Sequence, residues 1–477
     1  MIADLKPYAE YKESGLPWLG KVPRHWPVLP NRAIFSEVKD RNHSDEEMLS
    51  VTITSGIVGQ KALLDGSSKK DSSNLDKSAY KLVQPRDIAY NKMRAWQGAI
   101  GASALRGIIS PAYVVMRLRN AEDLPSYFHH LYRTPQFAKE AERWSYGITS
   151  DMWSLRPEHF KMIYTPEPPI DEQAAIVRFL DWVNGRLEWA IRAKRKVIAL
   201  LNEQKQAIIH RAVTRGLDPS VPLKPSGIPW LGDIPQHWEV VALGRLCVSR
   251  CDGPFGSGLK SAHYTDSGVR VIRLQNIGSG QFRARGGAFI SAEHYATLGD
   301  HGVIEGDLLV AGLGDEKIPA GRACVAPRDL GPAMVKADCF RFRMKGSRAV
   351  AQFIAAQLSA TATGATACLS TGATRLRINL SATASRSVAI PPAAEQHGIL
   401  ISIDRAVAPL ISTISRLERE IELLREYLTR LVADVVTGKL DVRKAAARLP
   451  DEAPLESVED EADIVDEAAA ADEEVAL

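Results

Sequence analysis

The sequence predicts an α+β protein built as a pseudo-twofold internal repeat. Two mixed, β-rich globular domains are each followed by a long helix, and the two helices pair as an antiparallel coiled coil. Three observations predict this. The stretch SGLPWLGKVPRHW at 14–26 returns as SGIPWLGDIPQHW at 226–238. PPIDEQAAI at 168–176 returns as PPAAEQHGI at 391–399, and the same offset carries on without a gap from TRGLD at 214–218 to TGKLD at 437–441. Between those landmarks runs a 4-3-4-3 apolar spacing, the seam of a coiled coil. A repeat of this length fixes architecture before any single motif does.

The order is box, variable body, PP-x-x-EQ, helix, then all four again. The predicted boundaries are 1–167 and 218–390 for the globular domains, 168–217 and 391–441 for the helical segments, and 442–477 for an acidic tail. The bodies contain short strand-like runs: YVVMRLR at 113–119, VRVIRLQNI at 269–277, DLLVAG at 307–312 and CFRFRM at 339–344, punctuated by Gly, Pro and Asp. Pro168-Pro169 and Pro391-Pro392 end a strand, and a helix begins just after each pair. The second helix carries its seam at Ile403, Val407, Leu410, Ile414, Leu417, Ile421, Leu424, Leu428, Leu431 and Val435. The first carries Leu180, Asn184, Leu187, Ile191, Lys194, Ile198, Leu201, Lys205, Ile208 and Ala212 at the matching places. Its three polar positions are of the kind that set register and pairing. About 35 residues of helix are expected in each, spanning roughly 50 Å.

Composition fits a globular protein: 45% hydrophobic and 25% charged. No apolar run approaching 18 residues is read, so no membrane span is expected, and the N-terminus lacks a signal-peptide core. Five cysteines without CxxC pairing read as reduced thiols of a cytoplasmic protein. The net charge of +3 is uneven: the tail from Asp451 holds twelve acidic residues and no Lys or Arg, so the first 450 residues carry +15. That excess suits a polyanionic partner. The tail's composition predicts disorder.

Motifs for catalysis do not fit. EPPI at 167–170 and IPPA at 390–393 are not the (Asn/Asp)-Pro-Pro-(Tyr/Phe) loop of an amino-methyltransferase. GPFGSGLKS at 253–261 misses the phosphate-loop spacing by one residue, Leu259, and lacks a strand-to-helix frame. His25 and His237 recur beside Trp26 and Trp238, one in each repeat, and are expected to pack the box against the body. No zinc or Ser-His-Asp spacing stands out, so no metal site is expected.

The doubled SGxPWLGxxPxHW box together with the doubled PP-x-x-EQ helix resembles the specificity subunit of Type I restriction–modification systems, over about residues 11–441. The resemblance implies a non-catalytic subunit. Each body would be a target-recognition domain reading one half of a split site in double-stranded DNA. The helices would set the spacing and dock two modification (methyltransferase) subunits, with restriction subunits joining the complex. S-adenosylmethionine, ATP and Mg would belong to those partners, and no cofactor to this chain. Helix pairing would rest on Leu180, Leu187, Ile191, Ile198, Leu201, Ile208, Ile403, Val407, Leu410, Ile414, Leu417, Ile421, Leu424 and Leu428.

The stretches RDIAYNKMRAWQGAIGAS at 86–103, DGPFGSGLKSAHY at 252–264 and IRLQNIG at 272–278 resemble recurrent segments of that family's recognition domains. They nominate Lys92, Arg94, Gln97, Lys260, Arg273, Gln275 and Asn276 as DNA-binding donors, since Arg and Lys can read guanine and Asn and Gln adenine. Ser150, Asp151 and Trp153, and Thr371, Arg375 and Arg377, precede the two PP-x-x-EQ elements at comparable places and are expected to line the same faces. For all of them a phosphate contact or a solvated side chain is the alternative role. Tyr90, Trp96 and Phe255 are expected in the core, with contact to DNA as the alternative role. The chain departs from the pattern at Leu223, which stands where the first repeat has Tyr11, and in the Ala/Ser/Thr-rich run at 359–388. Two rival readings remain at this point: a DNA-modifying or DNA-cutting enzyme with its own active site, and a coiled-coil scaffold indifferent to DNA.

Overall fold

A computed structural model of the chain describes residues 5–64, 76–147, 152–315, 317–346, 348–369 and 376–450. They fall into two compact units, Met1–Lys194 with Arg419–Leu477, and Arg195–Glu418. Each unit therefore holds one globular body, the start of one long helix and the end of the other.

In both units the box is a hairpin. Tyr11–Glu13 pairs antiparallel with Lys21–Pro23, and Leu223–Pro225 with Asp233–Pro235. The repeated Ser closes the turn the same way twice: Ser14 Oγ accepts the Leu16 N–H and Ser226 Oγ that of Ile228, each at 3.1 Å. The next strand pairs with the last strand of the body, Val28–Pro30 with Tyr164–Pro166 and Glu239–Ala242 with Ser387–Ile390, so each body opens and closes at one place.

The bodies share a four-stranded antiparallel sheet of one topology. In the first the order is Phe35–Val38, Tyr113–Leu118, Ile88–Asn91, Ile100–Ala102. In the second it is Cys247–Cys251, Cys339–Met344, Leu308–Ala311, Ala323–Val325. Three of the four strand-like runs read from the sequence are central here. The same ion pair ties each sheet: Arg117 is bidentate to Asp87 at 2.7 and 2.9 Å, and Arg343 to Asp307 at 2.9 and 2.8 Å. Both aspartates are about 1% exposed, and each also accepts a backbone N–H three residues back. The fourth run, VRVIRLQNI, is strand only over Val269–Ile272 and turns at Leu274–Asn276. It sits in a second, five-stranded sheet of the second unit, which includes one parallel pair.

The long helices span Ile170–Arg215 and Ala393–Val436, 46 and 44 residues, longer than the 35 expected. Both outrun the apolar seam, because each helix begins immediately after its proline pair and the Glu-Gln pair lies in its first turn. All ten seam positions in each helix are buried or half-buried. In the first unit, Ile176, Phe179, Leu180 and Val183 share a core with Leu431, Val435 and Val436. In the second, Ala212 and Val213 share one with Ile399, Ile403 and Val407. The start of one helix thus packs on the end of the other, which is antiparallel pairing. Seam Lys194 reaches Glu420 at 2.6 Å. By length and composition alone Ala393–Val436 could cross a membrane, with an 18-residue window of mean hydropathy 1.4. Its buried apolar residues Ile403, Val407 and Ile414 follow the heptad spacing, whereas a lipid-facing helix is apolar all round.

Candidate nucleic-acid interface

The frame that positions each body is a clamp between the box and the helix start. The carboxylate of Glu172, 3% exposed, receives the Trp26 indole N–H at 2.9 Å and the Tyr8 hydroxyl at 3.0 Å. His25 Nε2 lies 2.6 Å from it, and Arg443 approaches at 3.3 Å. Glu395 repeats the arrangement with His237 at 2.8 Å and Trp238 at 3.0 Å. The adjoining glutamines bind the body: Gln173 accepts the Leu124 N–H, and Gln396 that of Val350, each at 2.8 Å. So His25 and His237 pack the box against the helix start, not against the body, a correction to the sequence expectation. The two motifs recur together because they are the two halves of one contact. The helix ends close on the same clamps. At Gly438, with φ +76°, a Cβ would stand 2.4 Å from Pro23 and 2.8 Å from Trp26, so only glycine fits.

On the first body, Lys92, Arg94 and Gln97 lie on the tip of the hairpin joining Ile88–Asn91 to Ile100–Ala102, with Gln97 exposed and Lys92 and Arg94 half-buried. Gly98, with φ +97°, closes the turn. The structure brings two nominated stretches together here. The Leu155 N–H donates to the Lys92 carbonyl at 2.8 Å, and Trp153 meets Trp96 edge-on at 5.5 Å. Tyr90 is fully buried, as expected. Ser150 and Asp151 lie outside the described residues. Lys81, which sequence reasoning missed, sits buried, donating to the Pro111 and Tyr113 carbonyls. Burial, and then the positive field of Lys92, Arg41 and Lys39, pull its pKa below the usual lysine range. Such a group of cations is a place where an anion lowers the energy.

On the second body, Lys260 and Gln275 are exposed. Arg377 is exposed too, pairing with Asp338 at 2.8 Å and lying 5.9 Å over the Phe255 ring. Phe255 is 55% exposed, which corrects its expected place in the core. Strand residues Leu376–Arg377 pair with Leu313–Gly314, and Arg322 donates to both the Leu313 and Leu274 carbonyls. Those contacts join the nominated 272–278 stretch and Leu376–Arg377 around a cleft of about 250 Å³ lined by Leu274, Leu313, Gly314, Asp315, Ile318 and Arg322. Arg375 and Thr371 lie outside the described residues. Asn276 is corrected from reader to scaffold: it is 1% exposed, and its amide hydrogens go to the Arg283 and Arg285 carbonyls. Arg273 likewise gives a guanidinium hydrogen to the Gly286 carbonyl at 2.6 Å. GPFGSGLKS forms two short 3-10 turns, Gly256–Gly258 and Ser261–His263, with no helix to follow them, so no phosphate-loop frame exists there.

Asp252, beside this face, accepts the Gly253 and Asp338 N–H groups, yet burial raises its pKa to about 6. Among the described residues no group of three or more His, Cys, Asp or Glu is arranged to hold a metal ion.

Against known proteins, the chain is 24% identical over 299 residues to the Type I restriction enzyme MjaVIII specificity subunit of Methanocaldococcus jannaschii, covering 61% of this chain and 64% of that relative. It is 26% identical over 293 residues to the putative Type I restriction enzyme MjaX specificity subunit of the same organism, covering 61% and 62%. Over those residues the chain is similar to Type I restriction enzyme specificity subunits. The matches span somewhat under two thirds of these relatives' own length. No protein-family model matches the chain. A solved chain from work on complex assembly and conformational transition of the Type I R-M system aligns with a TM-score of 0.58 at 15% identity, over 88% of this chain and 99% of that one. That likeness shows a shared fold.

Proposed function

We propose that this chain is the DNA-recognition subunit of a Type I restriction–modification complex. Residues 1–167 and 218–390 each read one half of a bipartite, asymmetric target. Residues 168–217 and 391–441 set the gap between the half-sites and dock two modification subunits, with restriction subunits joining the complex. The observation that carries the reading is one frame used twice. The same Glu–His–Trp clamp and the same sheet order carry two bodies whose exposed donors differ, as two readers of different half-sites require. The similarity to Type I specificity subunits and the +15 body support it. The chain works without a cofactor of its own. S-adenosylmethionine, ATP and Mg serve the partner subunits, and the complex acts in the cytoplasm. Phosphate contacts position such a reader and base contacts specify its site.

The test is methylome mapping of host DNA with and without the gene. The expected result is one split motif, two short specified blocks separated by about a half-turn to one turn of duplex, lost on deletion. A reconstituted complex with modification subunits that binds all DNA alike would overturn the reading.

A further inference from the structure

Resting on that reading, we propose that Arg283 and Arg285 are the DNA-contacting cations of the second recognition domain, and that Arg270, Arg273 and Asn276 position them. The stretch between Asp266 and Glu293 holds four arginines and no acidic residue. Two of the four are turned inward. Among the hydrogen bonds of this loop, four consecutive backbone carbonyls accept from side chains beneath them. Asn276 Nδ2 donates to Arg283 at 2.9 Å and Arg285 at 3.0 Å, Arg270 to Ala284, and Arg273 to Gly286 at 2.6 Å. Asn276 Oδ1 closes the circuit by accepting the Arg273 N–H at 2.9 Å. A further bridge pairs Ile277 with Phe282 at the loop's root, and Arg270 stacks 5.7 Å over the Phe282 ring. At the far side Gly286, with φ +68°, lies so close under Gln275 that a Cβ would stand 2.4 Å from its Nε2.

A surface loop without ladder partners is ordinarily mobile. This one is held at every carbonyl from 283 to 286. Its own two guanidinium groups are exposed, and among the described residues neither is hydrogen-bonded or paired with a carboxylate. A fixed loop presenting two solvated guanidinium groups has met its ordering cost before the partner arrives. Guanidinium binds phosphate and the guanine edge bidentately, so duplex DNA is the partner this surface fits.

The test uses the full chain assembled with its modification subunits and duplexes carrying the methylome-defined motif. Arg283→Ala/Arg285→Ala is expected to leave thermal unfolding unchanged and to weaken binding at least tenfold at 150 mM salt. It should also flatten the slope of log K against log salt by about 1.8, two phosphates' worth. Arg283→Lys/Arg285→Lys separates the two contact types. Restored affinity with retained motif preference assigns phosphate contacts, and restored affinity with lost preference in the second half-site assigns base contacts. A positioning role for Asn276 predicts that Asn276→Ala and the double alanine variant are strongly non-additive in DNA affinity while additive in stability. Unchanged affinity and slope for the double alanine variant, with wild type still selecting the motif, would overturn this inference alone. Wild type that selects no motif would overturn the parent reading.

Discussion

Removing the carboxylate at each clamp should reveal how unequal the two copies are. Glu172 is 3% exposed and collects Tyr8, Trp26, His25 and Arg443, whereas Glu395 is 31% exposed and, among the described residues, collects His237 and Trp238. Glu172→Ala strands the indole N–H of a fully buried Trp26 and the hydroxyl of a buried Tyr8. A hydrogen bond to a charged partner contributes about 1.5–3 kcal/mol, and breaking a buried ionic contact from one side costs about 3–5 kcal/mol. The sum is not additive, so about 3–5 kcal/mol is expected for the first unit. At Glu395 water can reach the vacated space and replace the carboxylate, and about 1–2 kcal/mol is expected. Glu172→Gln keeps the shape but turns an amide toward donors, and should fall between wild type and alanine. The assay is urea unfolding of the full chain followed by tryptophan fluorescence, with the two units fitted as separate transitions where they separate. An Glu395→Ala cost equal to or above that of Glu172→Ala, or a Glu172→Ala cost under 1 kcal/mol, would refute the burial argument.

Three other outcomes follow from the same geometry. Gly438→Ala should cost more than Gly216→Ala: both are left-handed, which alone costs about 1–2 kcal/mol, but only Gly438 adds backbone-ring overlap, its Cβ meeting Pro23 at 2.4 Å against 3.5 Å for the nearest neighbour at Gly216. Thermal unfolding of the two variants checks the order. His129 accepts the Ala102 N–H, and burial, then Arg133 and His130, hold its pKa down at about 3. Its folded pKa lies below its unfolded value near 6.5, so its stabilising share is complete above pH 6.5 and is lost as pH falls toward 3. Between pH 6.5 and 5 that is about 2 kcal/mol, which His129→Gln should remove from the pH profile of the first unit. Arg343→Ala leaves Asp307 at 1% exposure without its bidentate partner and should cost about 2–4 kcal/mol by urea unfolding, far more than truncating exposed Arg328.

Much of the frame was legible because it is written twice. The heptad seam and the strand-ending proline pairs took the places their spacing implied. What the sequence did not disclose is why the box and the PP-x-x-EQ element recur together. His25 and Glu172 are 147 residues apart, and no local pattern links an imidazole to a distant carboxylate. Their joint duplication was the available signal. The common sheet of the two bodies was hidden as well. RDIAYN and GDLLVA share only the aspartate before the strand, and the arginine that meets each aspartate comes from a strand about 30 residues later. Phe255 was misplaced because an aromatic ring is usually core, whereas here it supports Arg377 at the surface.

The DNA-facing residues show a more general limit. Arg273, Gln275 and Asn276 were nominated because they can donate hydrogen bonds to base edges. That capacity is also what a loop needs when its carbonyls have no strand to pair with. The two roles are separated by accounting for acceptors, not by residue type. Residues 283–286 run between strands with four carbonyls and no ladder, so donors must come from side chains nearby. Three polar side chains upstream, Arg270, Arg273 and Asn276, are committed to those carbonyls. What is left to meet a partner is the loop's own pair of arginines, together with Gln275 packed against Gly286. A recognition surface of this kind is therefore read outward from its unsatisfied backbone: first the carbonyls, then the side chains that answer them, and last the ones that remain in solvent.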